Sequence, residues 1–519
     1  MICFIGAAAL AGALLCEKKC SGERQTPGYS DDMILSLPYF DIIAPKGENR
    51  GLPFDVESYC LGDRYIHLVL PGDVNRKALT VYIRDSEGNY LAKRVYDMTG
   101  KVMIGPWELT ADQHVLPVMC FQTGDHEIYD MMNASDEKDI ICDGNMQIFV
   151  SKKDMQENGW YREYLSTSED RSKKTTASLQ GRGNDSWGSN RKKSYTLRLG
   201  KAQNLLGMGK NKSWNLIGNA YDKSLIKNLV FNELSERSGI EYQPQMRNIV
   251  LYVDGRYEGV YTLTTKVSVD RNRVDLKQGD LFYKMDPPEA DQPIRYVSKT
   301  WFEDGLPYPL ADLKYPENAS PETIDEASSV LQRFIDAVED PSCPDIEEVA
   351  DIDSLIRYYW IEEASMNFDA WQRSVYMYYS RSDGKIHMGP VWDMDRSLGS
   401  PYDKQGMLFD TPQGWRVRNA GWYSMLFEND GFRKQVADTY FNGGIREELL
   451  DGISLFEEKK NRMGEDWRLN YLFFAHANDI GAPDIFGDAP DYDSYCDRMI
   501  GFYRERVEWI DKAMMEEAK

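Results

Sequence analysis

Histidine, cysteine and positive charge are all scarce in this chain. Among 519 residues there are five histidines, His67, His114, His126, His387 and His476. No two of them share ligand spacing, which argues against a His-based zinc site. The eight cysteines contain no C-x-x-C pair. Cys60, Cys120, Cys142, Cys343 and Cys496 are scattered singly, which suits buried thiols better than a disulfide framework, and a Cys60–Cys120 or Cys120–Cys142 bridge stays open. Lysine and arginine number 61 against 84 acidic residues, for a net charge of −23. Such a surface repels nucleic acid and anionic lipid alike, so no nucleic-acid partner is expected and any phosphate site has to be a local basic island.

Long apolar runs are missing too, apart from Ile2 to Leu15, which ends at Cys16 and the polar Glu17-Lys18-Lys19. The run is short for a membrane span and reads as a signal-peptide core, with Cys16 as a lipidation point. No basic residue precedes it, and Leu15 is bulkier than the small residue expected before a lipoprotein cysteine. Residues 1–28 are therefore read as a leader and linker. The expectation is export to the cell surface with lipid attachment, and the alternative is a buried N-terminal helix or strand.

What is present in quantity is core: 42% of residues are hydrophobic and 12% aromatic, enough for one small and one large domain. Residues 29–112 read as a small all-β, sandwich-like module, from short strands at Tyr65–Leu70, Leu79–Arg84 and Tyr90–Tyr96 separated by turn residues. Residues 113–519 read as a mixed domain. Strands are expected at Val115–Phe121, Met146–Val150 and Ser194–Leu199, and a hairpin at Ile249–Val253, Asp254-Gly255 and Tyr257–Leu263, because Asp-Gly accepts the positive φ of a tight turn. Asp222 reads as the N-cap of a helix through Leu234. Residues 286–320, rich in Pro and Asp, read as a surface insertion, followed by helices at Pro321–Val338 and Ile352–Phe368. Strands first and helices later suit an α+β fold with a sheet-rich front lobe and a helical back lobe.

Two constellations carry chemistry. Arg171 to Lys212 is the basic island, and inside it lies Gly181-Arg182-Gly183-Asn184-Asp185-Ser186-Trp187-Gly188, whose glycines would let backbone N–H groups approach an anion. Composition alone leaves open a triphosphate cradle or a basic, solvated loop. Leu206 to Ser213 fails as a P-loop, because Asn211 stands where the glycine before Lys-Ser is required. The second constellation is Asp369, then strand Val375–Ser380, the turn Ser382-Asp383-Gly384, strand Lys385–Val391, and Asp393-Met394-Asp395. In phosphoryl transfer one carboxylate orients the substrate hydroxyl and a second, beyond a hairpin, holds Mg²⁺. Asp369 fits the first role and Asp393 the second, with Asp395 a further ligand; the plain alternative is a turn cap and a surface pair.

Gly181-Arg182-Gly183-Asn184, Lys192-Lys193-Ser194-Tyr195, Leu205-Leu206-Gly207-Met208, Trp214-Asn215-Leu216-Ile217, Asp222-Lys223-Ser224, Asn228, Gly259-Val260-Tyr261 and Val391-Trp392-Asp393-Met394-Asp395 together resemble the spore-coat protein CotH kinase family. The resemblance spans about Val115 to Ser400. It implies a divergent protein-kinase-like fold and an atypical kinase that uses ATP and Mg²⁺ to phosphorylate Ser/Thr-rich secreted or surface proteins. It places Arg182, Asn184 and Lys192 or Lys193 in the nucleotide-facing motif, with Lys193 favoured, Asp369 at the catalytic aspartate and Asp393 at the metal. Two departures stand out. Thr265 precedes Lys266 where the family commonly has Glu, and Ser374 occupies the position, five after Asp369, where a kinase catalytic loop has the Asn that holds the second Mg²⁺. They make a non-catalytic surface or adhesion protein on the same scaffold the alternative.

Overall fold

The computed structural model describes residues 90–150 and 175–518 except 105–106, 184, 189–191, 220, 255, 287–290, 299–301, 304–305, 308–310, 341–345, 368, 400–402, 405–406, 465 and 475–484. Before residue 90 it describes segments 39–43, 57–60, 65–70 and 79–84 and residue 77. The expected leader lies outside the described residues. The chain is a mixed α+β protein and divides into two compact units. One takes in residues up to Gly218 with Arg247–Leu263 and Arg462–Ala477, the other Asn219–Met246, Thr264–Asn461 and Asn478–Lys519.

In the first unit, β1 (Tyr39–Ile43), β4 (Leu79–Arg84) and β5 (Tyr90–Tyr96) form one antiparallel sheet. A second sheet runs β2 (Glu57–Cys60), β3 (Tyr65–Leu70), β7 (Trp107–Gln113), β6 (Val102–Ile104), with β3 and β7 parallel. The following strands close into a seven-stranded barrel: β8 (Val118–Thr123), β9 (Ile141–Phe149), β10 (Thr175–Arg182), β11 (Ser194–Asn204), β12 (Lys210–Ile217), β13 (Met246–Val253) and β14 (Arg256–Thr265). Closure leaves no unpaired edge to be covered.

Period-2 patterning puts Tyr195, Leu197 and Leu199, Ile249, Leu251 and Val253, and Tyr261 and Leu263 in one buried cluster with Trp214, because alternate side chains of a strand share a face. Helix α1 (His126–Ala134) adds Tyr129 and Met132. The β13–β14 turn is at Asp254, whose φ is 49°, and whose carboxylate accepts from Thr123 N at 2.8 Å. Cys120 and Cys142 are buried and free, so the Cys120–Cys142 bridge is not formed; Cys60 lies outside the residues whose side chains are described.

The second unit is built on a five-stranded sheet in the order β16 (Pro293–Ile294), β19 (Ala311–Tyr315), β15 (Leu281–Met285), β20 (Val375–Ser380), β21 (Lys385–Met388). The pair β17 (Phe302–Glu303) and β18 (Leu306–Pro307) lies between β16 and β19 in the chain. Residues 286–320 are thus not only a surface insertion: Ala311 and Leu313 are each 1% exposed, and β19 pairs with central β15. The Pro and Asp content hid a strand whose alternation, Ala311, Leu313 and Tyr315 against Asp312 and Lys314, is the period-2 signal.

The helices of this unit are α3 (Lys227–Arg237), α4 (Pro321–Val338), α5 (Ile346–Val349), α6 (Ile352–Ser365), α7 (Gly421–Leu426), α8 (Asp430–Asn442), α9 (Ile445–Arg462) and α11 (Tyr492–Glu517); α4 packs against β16 and both α5 and α6 against β21, while α3, α8 and α11 pack on α6. The short α2 (Asp185–Gly188) and α10 (Asp466–Phe474) belong to the barrel unit. Helix α4 starts where its cap demands, with the Ser320 side chain accepting from Thr323 N and Pro321 in the first turn. Among the described residues no helix is long and apolar enough to cross a membrane.

Candidate functional site

The basic motif lies wholly in the barrel unit. Arg182 ends β10 opposite Ser194 of β11, and Asn184 falls outside the described residues. A Cβ on Gly181 would stand 2.6 Å from the Trp187 indole. That glycine therefore makes room for a tryptophan, and the anion cradle expected here loses one of its glycines to packing. Trp187 Nε1 donates to Ser135 O at 3.0 Å, pinning α2 to the end of α1.

The two adjacent lysines are divided between different tasks. Lys192 is 2% exposed. Its ammonium donates to Val260 O and, at 2.8 Å, to Asn470 Oδ1, beneath the Tyr261 and Phe474 rings. Gly259, at φ 102°, is held to glycine by this arrangement: a Cβ would meet Asn470 Oδ1 at 2.7 Å and Lys192 Cε at 2.9 Å. Lys193 is half-buried, donates to Trp187 O and lies 4.9 Å from the Trp187 ring centroid. Desolvation lowers its pKa, against the pull of Asp136.

The acidic constellation lies wholly in the second unit. Helix α6 is stopped by Met366, whose φ of 50° is left-handed. Asn367 Oδ1 then accepts from Asp369 N at 3.1 Å, and Asp369 O accepts from Gln372 N and Arg373 N at 3.1 Å. Asp369 is 7% exposed, and its Oδ2 faces Arg396 Nη1 at 3.8 Å. The chain next passes through Ser374, at φ 54°, along the β20–β21 hairpin, and into Asp393 at φ 68°.

Ser374 Oγ donates to Asp393 Oδ2 at 3.1 Å. Residues 19 apart in sequence, one before the hairpin and one after it, are thereby joined. Each non-glycine residue in the left-handed region costs about 1–2 kcal/mol, and such outliers concentrate where function over-determines the backbone.

Asp393 is exposed and opens a 3₁₀ turn, Met394–Arg396. Helix α3 holds that turn from below: Met394 N donates to Asn228 Oδ1 at 2.9 Å, and Lys227 Nζ donates to Ser397 O at 2.8 Å. Asp395, by contrast, is buried. Desolvation raises its pKa well above the ordinary carboxylate range, and the charges of Asp393 and Asp222 push the same way against Arg396 and Lys227. Asp222 is fully buried and also raised by desolvation; it accepts from Ser224 N and Lys227 N, each at 2.9 Å, and so meets the first N–H of α3 from outside the helix, whose N-cap position is Ile226. Arg396 stacks over the Tyr221 ring at 5.0 Å.

Crowded, desolvated carboxylates are costly without a cation, because each disfavours the charge of the next. That donor set fits a divalent ion. Among the described residues no three His, Cys, Asp or Glu side chains converge, so the protein could supply two carboxylates while phosphate and water supply the rest, the pattern by which Mg²⁺ is bound.

The structure thus brings Asp369, Ser374, Asp393 and Asp395 into one unit, and adds Asp222, Lys227, Asn228 and Arg396, which the sequence reading gave no place in the chemistry. An Asp just before a helix was visible, though the N-cap position expected for it falls to Ile226; its approach to Asp395, over 170 residues later, was not. Thr265, the other departure, is 3% exposed, and both its Oγ1 and its N–H pair with the Gln245 backbone at 3.0 Å. The hydroxyl of this buried residue accepts a backbone N–H that would otherwise be unpaired.

Compared with known protein families, residues 179–449, just over half of the chain, match the one described as CotH kinase protein. No curated protein matches the chain.

Proposed function

Because the chain belongs to the CotH kinase protein family, we propose that it is an atypical protein kinase that transfers the γ-phosphoryl group of ATP to Ser or Thr of secreted or surface proteins. In this reading the barrel unit corresponds to the sheet-rich lobe and the second unit to the catalytic lobe, with the strands before residue 113 as an accessory module. The chain is exported and lipid-anchored through its leader. The observation that carries the proposal is the Ser374–Asp393 contact. It ties Asp393 across the hairpin to the segment after Asp369, which supports the layout of a phosphoryl-transfer site.

Asp369 accepts or orients the acceptor hydroxyl, and Arg396 holds its carboxylate in place. Asp393 and Asp395 would hold Mg²⁺, which neutralises phosphate charge when bound. Ser374 fixes the orientation of Asp393, and the α3 contacts of Lys227 and Asn228 keep the turn from moving. In this reading Arg182, Asn184 and Lys193 face the nucleotide phosphates. The chemistry is positioning and charge neutralisation, with no covalent intermediate on the protein.

The test is labelling with radioactive ATP. The purified chain with Mg²⁺ labels itself or a casein-like acceptor, and Asp393→Ala abolishes the signal. Absence of labelling with both Mg²⁺ and Mn²⁺ overturns the catalytic reading. Ser374, bonded to Asp393 where a metal-binding Asn is usual, supports one alternative, a nucleotide-binding protein without catalysis. It predicts a thermal shift with ATP and metal, lost in Asp393→Ala, and no labelling.

A further inference from the structure

Lys284 sits in the middle of β15, the central strand of the second unit's sheet, flanked by the buried Tyr283 and Met285. A lysine in such a strand loses hydration that something has to replace. The register supplies the setting. Lys284 lies opposite Tyr376, and Phe282 opposite Tyr378, so these four side chains share one face. Trp392, the residue before Asp393, packs on that face against the cluster containing Phe282 and Tyr376. Two residues before Tyr376 is Ser374, whose hydroxyl holds Asp393. The face of the sheet that carries Lys284 is therefore the one covered by Trp392, the chain neighbour of Asp393.

The ammonium of Lys284 pairs with Asp286 and lies 5.9 Å from the Tyr376 ring centroid. Its side chain is 24% exposed and that of Asp286 17%, so a ligand can reach both. Desolvation acts to lower the lysine's pKa, but Tyr376, Asp286 and Asp393 outweigh it and keep the group charged.

We propose that Lys284 is a phosphate-contacting residue of the Asp393 site, held by Asp286 until a metal-bound phosphate arrives and exchanges for the carboxylate. The proposal rests on the kinase reading. Lys284, which none of the sequence motifs contains, thereby joins Arg182, Asn184 and Lys193 on the anion side of the site. A lysine is suited to the exchange because its ammonium is a point charge on a flexible stem, able to move between two anions without a fixed fork geometry. Lys284 and the metal also compete. With no phosphate present, the Lys284 charge, which interacts electrostatically with Asp393, opposes entry of a second cation.

That competition gives the test opposite signs for different ligands. In the full chain, Mn²⁺ uptake without nucleotide is read by electron paramagnetic resonance, and Mg²⁺-ATP affinity by calorimetry. Lys284→Met weakens Mg²⁺-ATP binding about tenfold or more, the loss expected of one charge-assisted contact, while binding Mn²⁺ alone as tightly as wild type or tighter. Asp286→Asn, which frees the lysine, strengthens Mg²⁺-ATP binding. A merely structural pair predicts that the two variants weaken nucleotide binding alike, and that result overturns the proposal, as does a Lys284→Met chain that matches wild type for both ligands. In either case a wild type that still binds Mg²⁺-ATP leaves the kinase reading standing. A wild type that binds neither ligand overturns the kinase reading and the assignment of Lys284 with it.

Discussion

Glu362 is the residue whose chemistry the fold alters most plainly. It lies on the inner face of α6, is 1% exposed, and its Oε2 has no hydrogen-bond partner. Desolvation raises its pKa to about 8; Asn367 and Tyr358 oppose the shift and the Asp369 charge adds to it. Below the ordinary glutamate range, near about 4.3, the group is protonated in folded and unfolded chains alike. As pH rises from there towards 8 the unfolded chain releases the proton first, so the native state loses stability across that window and no further above it. Gln is the neutral isostere. The melting temperature of metal-free Glu362→Gln therefore stays near wild type at pH 5 and exceeds it at pH 9, by roughly 2–4 °C for each 1 kcal/mol relieved. A difference between the two proteins that does not change with pH refutes the neutral assignment.

At the scale of elements, the contact that matters is between the start of α3 and the turn at Asp393–Arg396. Asn228 Oδ1 accepts the Met394 N–H, one of the donors at the start of a helical turn that has no partner within the turn itself. With Asn228 replaced by Ala that donor is left buried and unpaired, costing about 1–3 kcal/mol. The Asp393 carboxylate then loses its fixed direction. The expected outcome is a loss of about 10–100-fold in metal affinity, as for other supports of a metal ligand, with the chain still folded by circular dichroism. Unchanged Mn²⁺ binding in Asn228→Ala would show that the turn holds its own shape.

Elements that pattern or caps could specify were legible in the chain: β20 at Val375–Ser380 and α4 at Pro321–Val338 fall where an apolar run and the Ser320 cap put them. β19 was hidden by its Pro- and Asp-rich flanks. Gly181 was legible as a glycine but not as the neighbour of Trp187, because a steric need in another element leaves no local mark.

At the scale of the second unit, one long-range tie is ionic and fully buried. Glu363 of α6 pairs with Arg506 of α11, both side chains fully buried, and its two oxygens also accept from Arg416 N and Arg418 N at 2.7 Å. One carboxylate thereby joins segments 143 residues apart. Removing one partner strands the other charge in the core, at about 3–5 kcal/mol. Glu363→Ala is expected to lower the denaturant midpoint steeply, and the double variant Glu363→Leu with Arg506→Leu to recover part of that loss. If the single variant unfolds at the wild-type midpoint, the pair carries no such strain.

Taken alone, the chain of residues determined a mixed protein with strands early and helices late, the basic island in an acidic protein, and the Asp369, hairpin, Asp393 order, because alternation, caps and turn residues act over a few positions. Only the tertiary structure decided that the front strands close into a barrel. Folding alone also buried Lys192 while leaving Lys193 half-buried beside Trp187, and set Asp222, Lys227 and Asn228 around Asp393 and Asp395. Those outcomes depend on which distant segments share a face, and on how much water each charge loses there.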